Sequence, residues 1–394
     1  MKRIFILHYS LEIGGAETSL LGFLQKLDYS KYEVYLMLLR KEGELLPFLP
    51  KQVILLDPPQ VYSCLSMHIK DIAFTKHIGI ACSRIIGKII GKKYSDKTYN
   101  TKQYSHKLSL PFLPMIDGKY DLAISYIDPH YIIGKKVNAK IKLSWLHTDF
   151  SRIDCSLRQD SKMWDLSDYI VNVSDSCKEA FDCVHPELSG KSIVLENVLS
   201  KDYIDYQSQQ IDTSSEMPDN SSIKLLSVGR FSEAKNFDNI PDICSRILKK
   251  GIEIKWYLIG YGGDEELIRQ KIAEAGMEEH VIILGKKDNP YPYIKACDLY
   301  VQPSRYEGKC VAVREAQMLH KPVVITNYAT SSSQLTDGYD GVIVPMDNAG
   351  CAEGLAAVIR DDALRERLTE NTKQNDYSNA KEIEKLYRLI GNED

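Results

Sequence analysis

The chain has 394 residues, 44% hydrophobic and 26% charged, with a formal net charge of -4. That length suits two domains of about 150–200 residues each, and the composition excludes collagen, wholesale disorder and a multi-pass membrane protein. Nine scattered cysteines with no Cys-x-x-Cys pair argue against zinc ribbons, thioredoxin-type sites and a disulfide framework, and for a reduced, cytosolic chain.

The first apolar run, 4–7, follows Lys2 and Arg3 but is interrupted by His8, Tyr9, Ser10 and Glu12, which is too short a stretch for a signal peptide. No window supplies the roughly 20 uncharged apolar residues of a spanning helix; the nearest, 78–90, contains Arg84 and Lys88. Short β-branched runs alternating with helical patterns predict parallel sheets with crossover helices. In the first half strands are expected at 3–7, 33–39, 53–56, 122–126, 140–146, 169–173 and 192–195, with helices between them, for example 16–27 and 177–184. The stretch 201–222, rich in Gln, Ser, Asp and Asn and ending in a Met-Pro-Asp-Asn turn signal, reads as a linker plus a solvated loop. Strands follow at 224–228, 255–259, 281–284, 299–302, 323–326 and 341–344, and a charged amphipathic helix is expected at 379–390. The expected architecture is two doubly wound α/β domains, 1–200 and 201–375, with a tail of 376–394.

Charge is unevenly spread. Positions 61–107 hold nine Lys or Arg (70, 76, 84, 88, 92, 93, 97, 102, 107) against Asp71 and Asp96, while the rest of the chain carries 41 basic and 52 acidic residues, a net of -11. Eight isoleucines and Tyr94, Tyr99 and Tyr104 share this basic stretch. Cations beside an aliphatic face suit an anionic membrane surface; the alternative is a soluble helix pair with a basic outer face. No nucleic-acid-binding motif accompanies the charge.

Four glycine- or charge-bearing segments follow expected strands. Gly14-Gly15-Ala16-Glu17 precedes an apolar helix, where glycines admit a ligand to a helix N-terminus or simply make a turn. Gly229 to Asn236 places Arg230 and Lys235 five residues apart at a strand's carboxyl end, an arrangement suited to a diphosphate. Gly260-Tyr261-Gly262-Gly263 approaches the dinucleotide fingerprint, but Glu265 occupies the third glycine position. The most informative segment runs from Pro303 through Glu307-Gly308-Lys309-Cys310-Val311 to Glu315 and Ala316. A helix opening at Gly308 would turn the amides of 308–311 toward an anion, with Glu307 before it and Glu315 about two turns inside. The carboxylates would accept hydrogen bonds from ligand hydroxyls, or they belong to a solvated helix. His147 ends the strand at 140–146, at the strand end that would border a cleft. Asp-x-Asp, His-Glu-x-x-His, Gly-x-Ser-x-Gly and Walker patterns do not occur.

Taken in this order, the motifs resemble glycosyltransferase family 4, the retaining family with the GT-B fold, over nearly the whole chain. The resemblance is most specific at 227–236 and 302–316, followed by Lys321-Pro322-Val323-Val324 and Asp340-Gly341-Val342-Ile343-Val344-Pro345. It implies two Rossmann-like domains facing across a cleft, acceptor on the first and nucleotide sugar on the second, and a last helix returning to the first domain. By the same resemblance, Arg230 and Lys235 neutralise the donor diphosphate, and Glu315 binds the ribose. Glu307 takes hydroxyls of the donor sugar, Gly14 and Gly15 approach its phosphate or sugar, and His147 lines the sugar site. Gly308, Lys309, Cys310 and Val311 complete the donor loop; Lys309-Cys310 stands where many members carry an apolar residue, often Phe. Tyr306-Glu307-Gly308-Lys309 is similar to transferases of bacterial capsule and surface polysaccharide.

The implied activity is hexosyl transfer with retention from a nucleotide sugar, UDP-sugar favoured, to a lipid-linked or growing surface glycan, with no metal and no other cofactor. The implied location is the cytoplasmic face of the cell membrane, held peripherally through 61–107. The alternatives are a GT-B-like sugar-nucleotide epimerase, which would share the nucleotide site, and a non-catalytic membrane-associated partner that kept the fold, against which intact Arg230, Lys235, Glu307 and Glu315 argue.

Overall fold

The computed structural model describes residues 1–219 and 222–391. It divides into two compact units, the first comprising Met1–Val198 and the tail from Ala380, the second Leu199–Asn379. In the first, seven strands form one parallel sheet: β1 Lys2–His8, β2 Tyr32–Leu38, β3 Ile54–Leu56, β4 Ile116–Ser125, β5 Val137–Leu146, β6 Tyr169–Asn172 and β7 Ser192–Val194. Their order is β3-β2-β1-β4-β5-β6-β7. In the second unit, β8 Ile223–Val228, β9 Ile254–Ile259, β10 Val281–Gly285, β11 Leu299–Gln302, β12 Val323–Thr326 and β13 Val342–Val344 are parallel in the order β10-β9-β8-β11-β12-β13. Every expected strand is present, because apolar β-branched runs buried on both faces of a parallel sheet leave a continuous signal. Each sheet reverses its winding direction once, between β1 and β4 and between β8 and β11. In open α/β sheets these switch points, at the carboxyl ends of the strands, are where ligands bind.

The basic stretch folds into an antiparallel helix pair, Ile78–Gly91 and Lys97–Ser109. Asp96 caps the second helix by accepting from the Tyr99 amide at 2.9 Å. The helices approach closely because Gly87 and Gly91 face Ser105 and Thr101; a Cβ at either glycine would lie 2.3 Å from the facing side-chain oxygen. Ile72 and Ile80 enter the core, whereas Ile78, Ile85, Ile86 and Ile89 stay exposed. Three of the nine cations are turned inward or tied down. Arg84 donates to the carbonyls of Cys64 and Met67, Lys102 lies 3.9 Å from Asp128 and Lys107 donates to Gln159.

The expected linker opens with a helix, and its residues 220 and 221 lie outside the described residues. Ser200 caps a helix at Lys201–Gln207, whose Ile204 is buried with Met217 in the core of the second unit. Two apolar anchors in a polar stretch are too sparse for a periodicity reading, yet they suffice once the helices Tyr291–Ala296 and Val311–Met318 offer a surface. The last helix, Glu382–Leu389, packs in the first unit. Tyr387 stacks on Tyr32 at 4.8 Å and its hydroxyl accepts from the Asp28 amide at 2.7 Å. Lys2 donates to the Ile390 carbonyl at 2.8 Å.

Candidate active site

In the second unit, the loop after β8 carries Arg230 and Lys235, and the loop after β11 carries Glu307 to Cys310. The switch point brings these loops together. Lys235 Nζ lies 2.5 Å from Glu307 Oε1 and 3.8 Å from Cys310 Sγ. Burial alone would lower the Lys235 ammonium, but Cys310 and Glu307 beside it raise it above its ordinary value. Burial pushes the Cys310 thiol up to about 12. Lys235 is therefore a fixed, paired cation. Arg230 is exposed.

A buried relay orients Glu307. Tyr300 donates to Gln302 Oε1 at 2.9 Å, Gln302 to Ser304 Oγ at 3.0 Å, and Ser304 to Glu307 Oε1 at 2.6 Å. Thr330 holds the Glu307 carbonyl at 2.9 Å. Arg305 clamps the two loops together, with both terminal nitrogens on the Asp238 carboxylate at 3.0 and 2.8 Å and its amide on the Ala234 carbonyl at 2.8 Å. The glycine turn after β9 buttresses the same place. Gly260, at φ +155°, and Gly262, at φ +156°, sit against the carbonyls of Gly229 and Phe231, leaving no room for a Cβ. That segment is backbone support for the Arg230 loop.

The helix after Glu307 begins at Val311, with Cys310 as its N-cap, three residues later than expected. Gly308, Lys309 and Cys310 are buried loop residues. The Cys310 amide is already spent on Gln334 Oε1 at 2.7 Å, and Gln334 Nε2 returns a bond to the Cys310 carbonyl at 3.2 Å. The row of open amides expected at 308–311 is thus interrupted at 310. Glu315 stands just over one turn into the helix, buried, its Oε1 accepting from the Tyr291 hydroxyl at 2.9 Å. Desolvation pushes its carboxyl up to about 7, with Tyr291 opposing the shift. Gln334, Thr330, Ser304 and Tyr291 were not singled out from sequence; only Ser304, inside the Pro303–Ala316 motif, offered a signal.

In the first unit, Gly14 is the extended N-cap of the helix Gly15–Lys26. Glu17 in its first turn meets His8, which ends β1, at 3.4 Å. Burial alone would raise Glu17, but the hydrogen bond and charge of His8, its own backbone hydrogen bond and the nearby His147 together hold the carboxyl below its ordinary value. His147 follows β5 and donates from Nε2 to the Tyr126 carbonyl at 2.7 Å, leaving Nδ1 as an acceptor. Its desolvated ring is lowered to about 4 despite that bond, so it is neutral at pH 7. Gly15, Glu17, His8 and His147 thus gather around the carboxyl ends of β1, β4 and β5, with Ser19 bonding Tyr126 at 2.7 Å and Asn197 at 2.9 Å. Beside them Tyr9 meets His106 at 2.6 Å, and Gln103 donates to Asp128 at 3.1 Å. These polar residues were missed; a histidine ending an apolar strand was the available sign.

This fold is shared with known glycosyltransferases of the GT-B type, and residues 209–375, in the second unit, match the model for glycosyl transferases group 1. Among curated proteins, the chain is 28% identical over 151 residues to the N-acetylgalactosamine-N,N'-diacetylbacillosaminyl-diphospho-undecaprenol 4-alpha-N-acetylgalactosaminyltransferase of Campylobacter jejuni, covering 38% of this chain and 40% of the relative. It is 26% identical over 162 residues to the lipopolysaccharide core biosynthesis glycosyltransferase LpsE of Rhizobium meliloti, covering 41% and 45%. The chain therefore spans less than half the length of these two relatives. Among solved structures, Anabaena HepE in complex with UDP superposes with TM-score 0.67 at 16% identity, covering 99% of both chains. Staphylococcus aureus TarM superposes with TM-score 0.71 at 14% identity, again covering 99% of both. No helix among the described residues is long and apolar enough to cross a membrane.

Proposed function

We propose that the protein is a retaining glycosyltransferase that moves a hexose-type sugar from a nucleotide sugar to a lipid-linked or growing surface glycan. The observation that carries this reading is the Lys235–Glu307 pair at the β8/β11 switch point, with the buried Glu315 nearby. A diphosphate leaving group needs fixed positive charge where its own charge develops; Lys235 and the exposed Arg230 supply it. Glu307, once the diphosphate partners Lys235, is free to accept from donor-sugar hydroxyls, and Glu315 accepts from the ribose. Gly15 and His147 are assigned contact with the donor phosphate and sugar. In the front-face reaction the acceptor hydroxyl attacks the anomeric carbon as the bond to the diphosphate breaks, and the departing phosphate takes the hydroxyl proton. No metal or other cofactor enters this scheme, because the cations are the chain's own.

UDP is the favoured nucleotide, supported by the UDP-bound HepE structure of the same fold. A thermal-shift screen of UDP, GDP and ADP tests the site, since a ligand that binds the folded state raises the melting temperature. No stabilisation by any of the three refutes it. Donor consumption that requires an acceptor, with the anomeric configuration kept in the product, separates transfer from epimerisation.

The acceptor is read as membrane-associated, and the protein as peripheral at the inner face of the membrane. Supporting this, Lys70, Lys76, Lys88, Lys92, Lys93 and Lys97 are exposed beside uncovered isoleucines. Sedimentation with anionic vesicles, weakened by salt, is the expected result; no binding to neutral or anionic vesicles refutes it.

A further inference from the structure

The exposed charge of the helix Ile78–Gly91 is ordered. Ile80, Ser83, Gly87 and Gly91 form its buried side. Ile78, Ile85, Ile86 and Ile89 recur at helical spacing on the side facing away, 64%, 44%, 47% and 59% exposed, with Phe74 just ahead of the helix 89% exposed. Such a ridge of large apolar side chains in water marks an interaction surface. Between the two sides, Arg84, Lys88 and Lys92 repeat every four residues and so share one edge of the helix. Across from that edge lies the short helix Ile69–Ile72.

An open pocket of about 520 Å³ sits at this place, lined by His68, Ile69, Lys70, Asp71, Arg84 and Lys88. The Arg84 guanidinium is anchored in its wall by the carbonyls of Cys64 and Met67. Lys70 and Lys88 form no ion pair with any described residue, and Asp71 is the one acid in the lining. Three cations around a cavity, one of them held in place, match a phosphate. The adjoining isoleucine ridge matches hydrocarbon, which a nucleic acid or a free phosphate lacks.

We propose that this pocket binds the phosphate of a membrane lipid while the ridge of Phe74, Ile78, Ile85 and Ile89 lies among its chains. The inference rests on the reading of this segment as membrane-facing and adds to it a discrete site. Diffuse attraction to a charged surface counts every lysine alike, whereas a pocket singles out those that line it.

The test titrates the full-length protein with monomeric dihexanoylphosphatidic acid and, separately, with inorganic phosphate at fixed ionic strength. Lys70→Gln/Lys88→Gln is expected to weaken the short-chain lipid by about tenfold or more. Lys92→Gln/Lys93→Gln, the same loss of charge outside the pocket, should leave it within about threefold. Equal weakening by both pairs, or inorganic phosphate bound as tightly as the lipid, overturns the proposal. The parent reading is checked apart by sedimentation of the wild type with anionic vesicles. Vesicle binding together with equal effects of the two variant pairs removes the pocket alone, and failure to bind vesicles removes the membrane reading with it.

Discussion

Glu315 offers the most direct check on the site's electrostatics. It is buried, Tyr291 is its hydrogen-bond partner, and desolvation moves its carboxyl from 4.5 to about 7. Between those values the folded chain keeps a proton that the unfolded chain has lost, so stability falls as pH rises through this window and the full cost is present above it. A displacement of that size corresponds to about 3 kcal/mol. Glu315→Gln keeps the shape and cannot ionise. It is therefore expected to stabilise the protein at pH 8 relative to wild type by up to about 3 kcal/mol, or roughly 6–12 °C in melting temperature for a unit of this size. At pH 4.5 the gain should vanish, because wild-type Glu315 is then protonated in the folded state. Scanning calorimetry of both proteins at the two pH values measures this. The same substitution should weaken UDP, since the neutral amide is a poorer acceptor for ribose hydroxyls than a carboxylate. An identical stability difference at pH 4.5 and pH 8 would refute the argument, because only a titrating carboxylate makes the difference depend on pH.

Arg230→Ala and Lys235→Ala should each weaken UDP by about 1.5–3 kcal/mol, the worth of one charged hydrogen bond; calorimetric affinities equal to wild type would remove both residues from the diphosphate site. Transfer should persist in excess chelator, and activity abolished by chelator and restored by magnesium or manganese would require a metal at the donor. Gly260→Ala should destabilise the protein far more than Gly263→Ala. A Cβ at 260 falls 1.9 Å from the Gly229 carbonyl oxygen at φ +155°, whereas one at 263 meets nothing within 4 Å; similar melting temperatures for the two variants would contradict this backbone contact.

What the sequence disclosed, and what it withheld, follows from the range of the interactions involved. Strands such as Leu299–Gln302 and Val323–Thr326 are buried along their length, so each short window carries its own apolar signature. Arg230, Lys235, Glu307 and Glu315 could be picked out because a strand's carboxyl end places the next few residues at the switch point. Their mutual arrangement is a different matter. That Glu307 is held by Thr330, and Cys310 by Gln334, depends on a segment more than twenty residues further on. The helix Lys201–Gln207 was hidden because its only strongly apolar inward residue is Ile204 among polar neighbours. Arg84 counted as surface charge until the fold placed the carbonyls of Cys64 and Met67 within its reach.

The pairing of Lys235 with Glu307 accounts for how the proposed donor site would be kept in the absence of ligand. Side chains 18% and 11% exposed are too dry to carry lone charges cheaply, and removing either partner would leave the other uncompensated. Each therefore serves as the other's counter-ion in the unliganded protein, with Ser304 fixing the carboxylate from behind. In the proposed donor role, a nucleoside diphosphate would bring its own negative charge to Lys235. The ammonium would then have a stronger partner, and the carboxylate would be released toward neutral hydroxyl groups without losing its bond from Ser304. On that proposal the sugar and the diphosphate are recognised together, because the charge displaced by one is the group that accepts from the other. A free sugar, which carries no charge to offer Lys235, has no means of detaching Glu307 and should bind weakly by comparison.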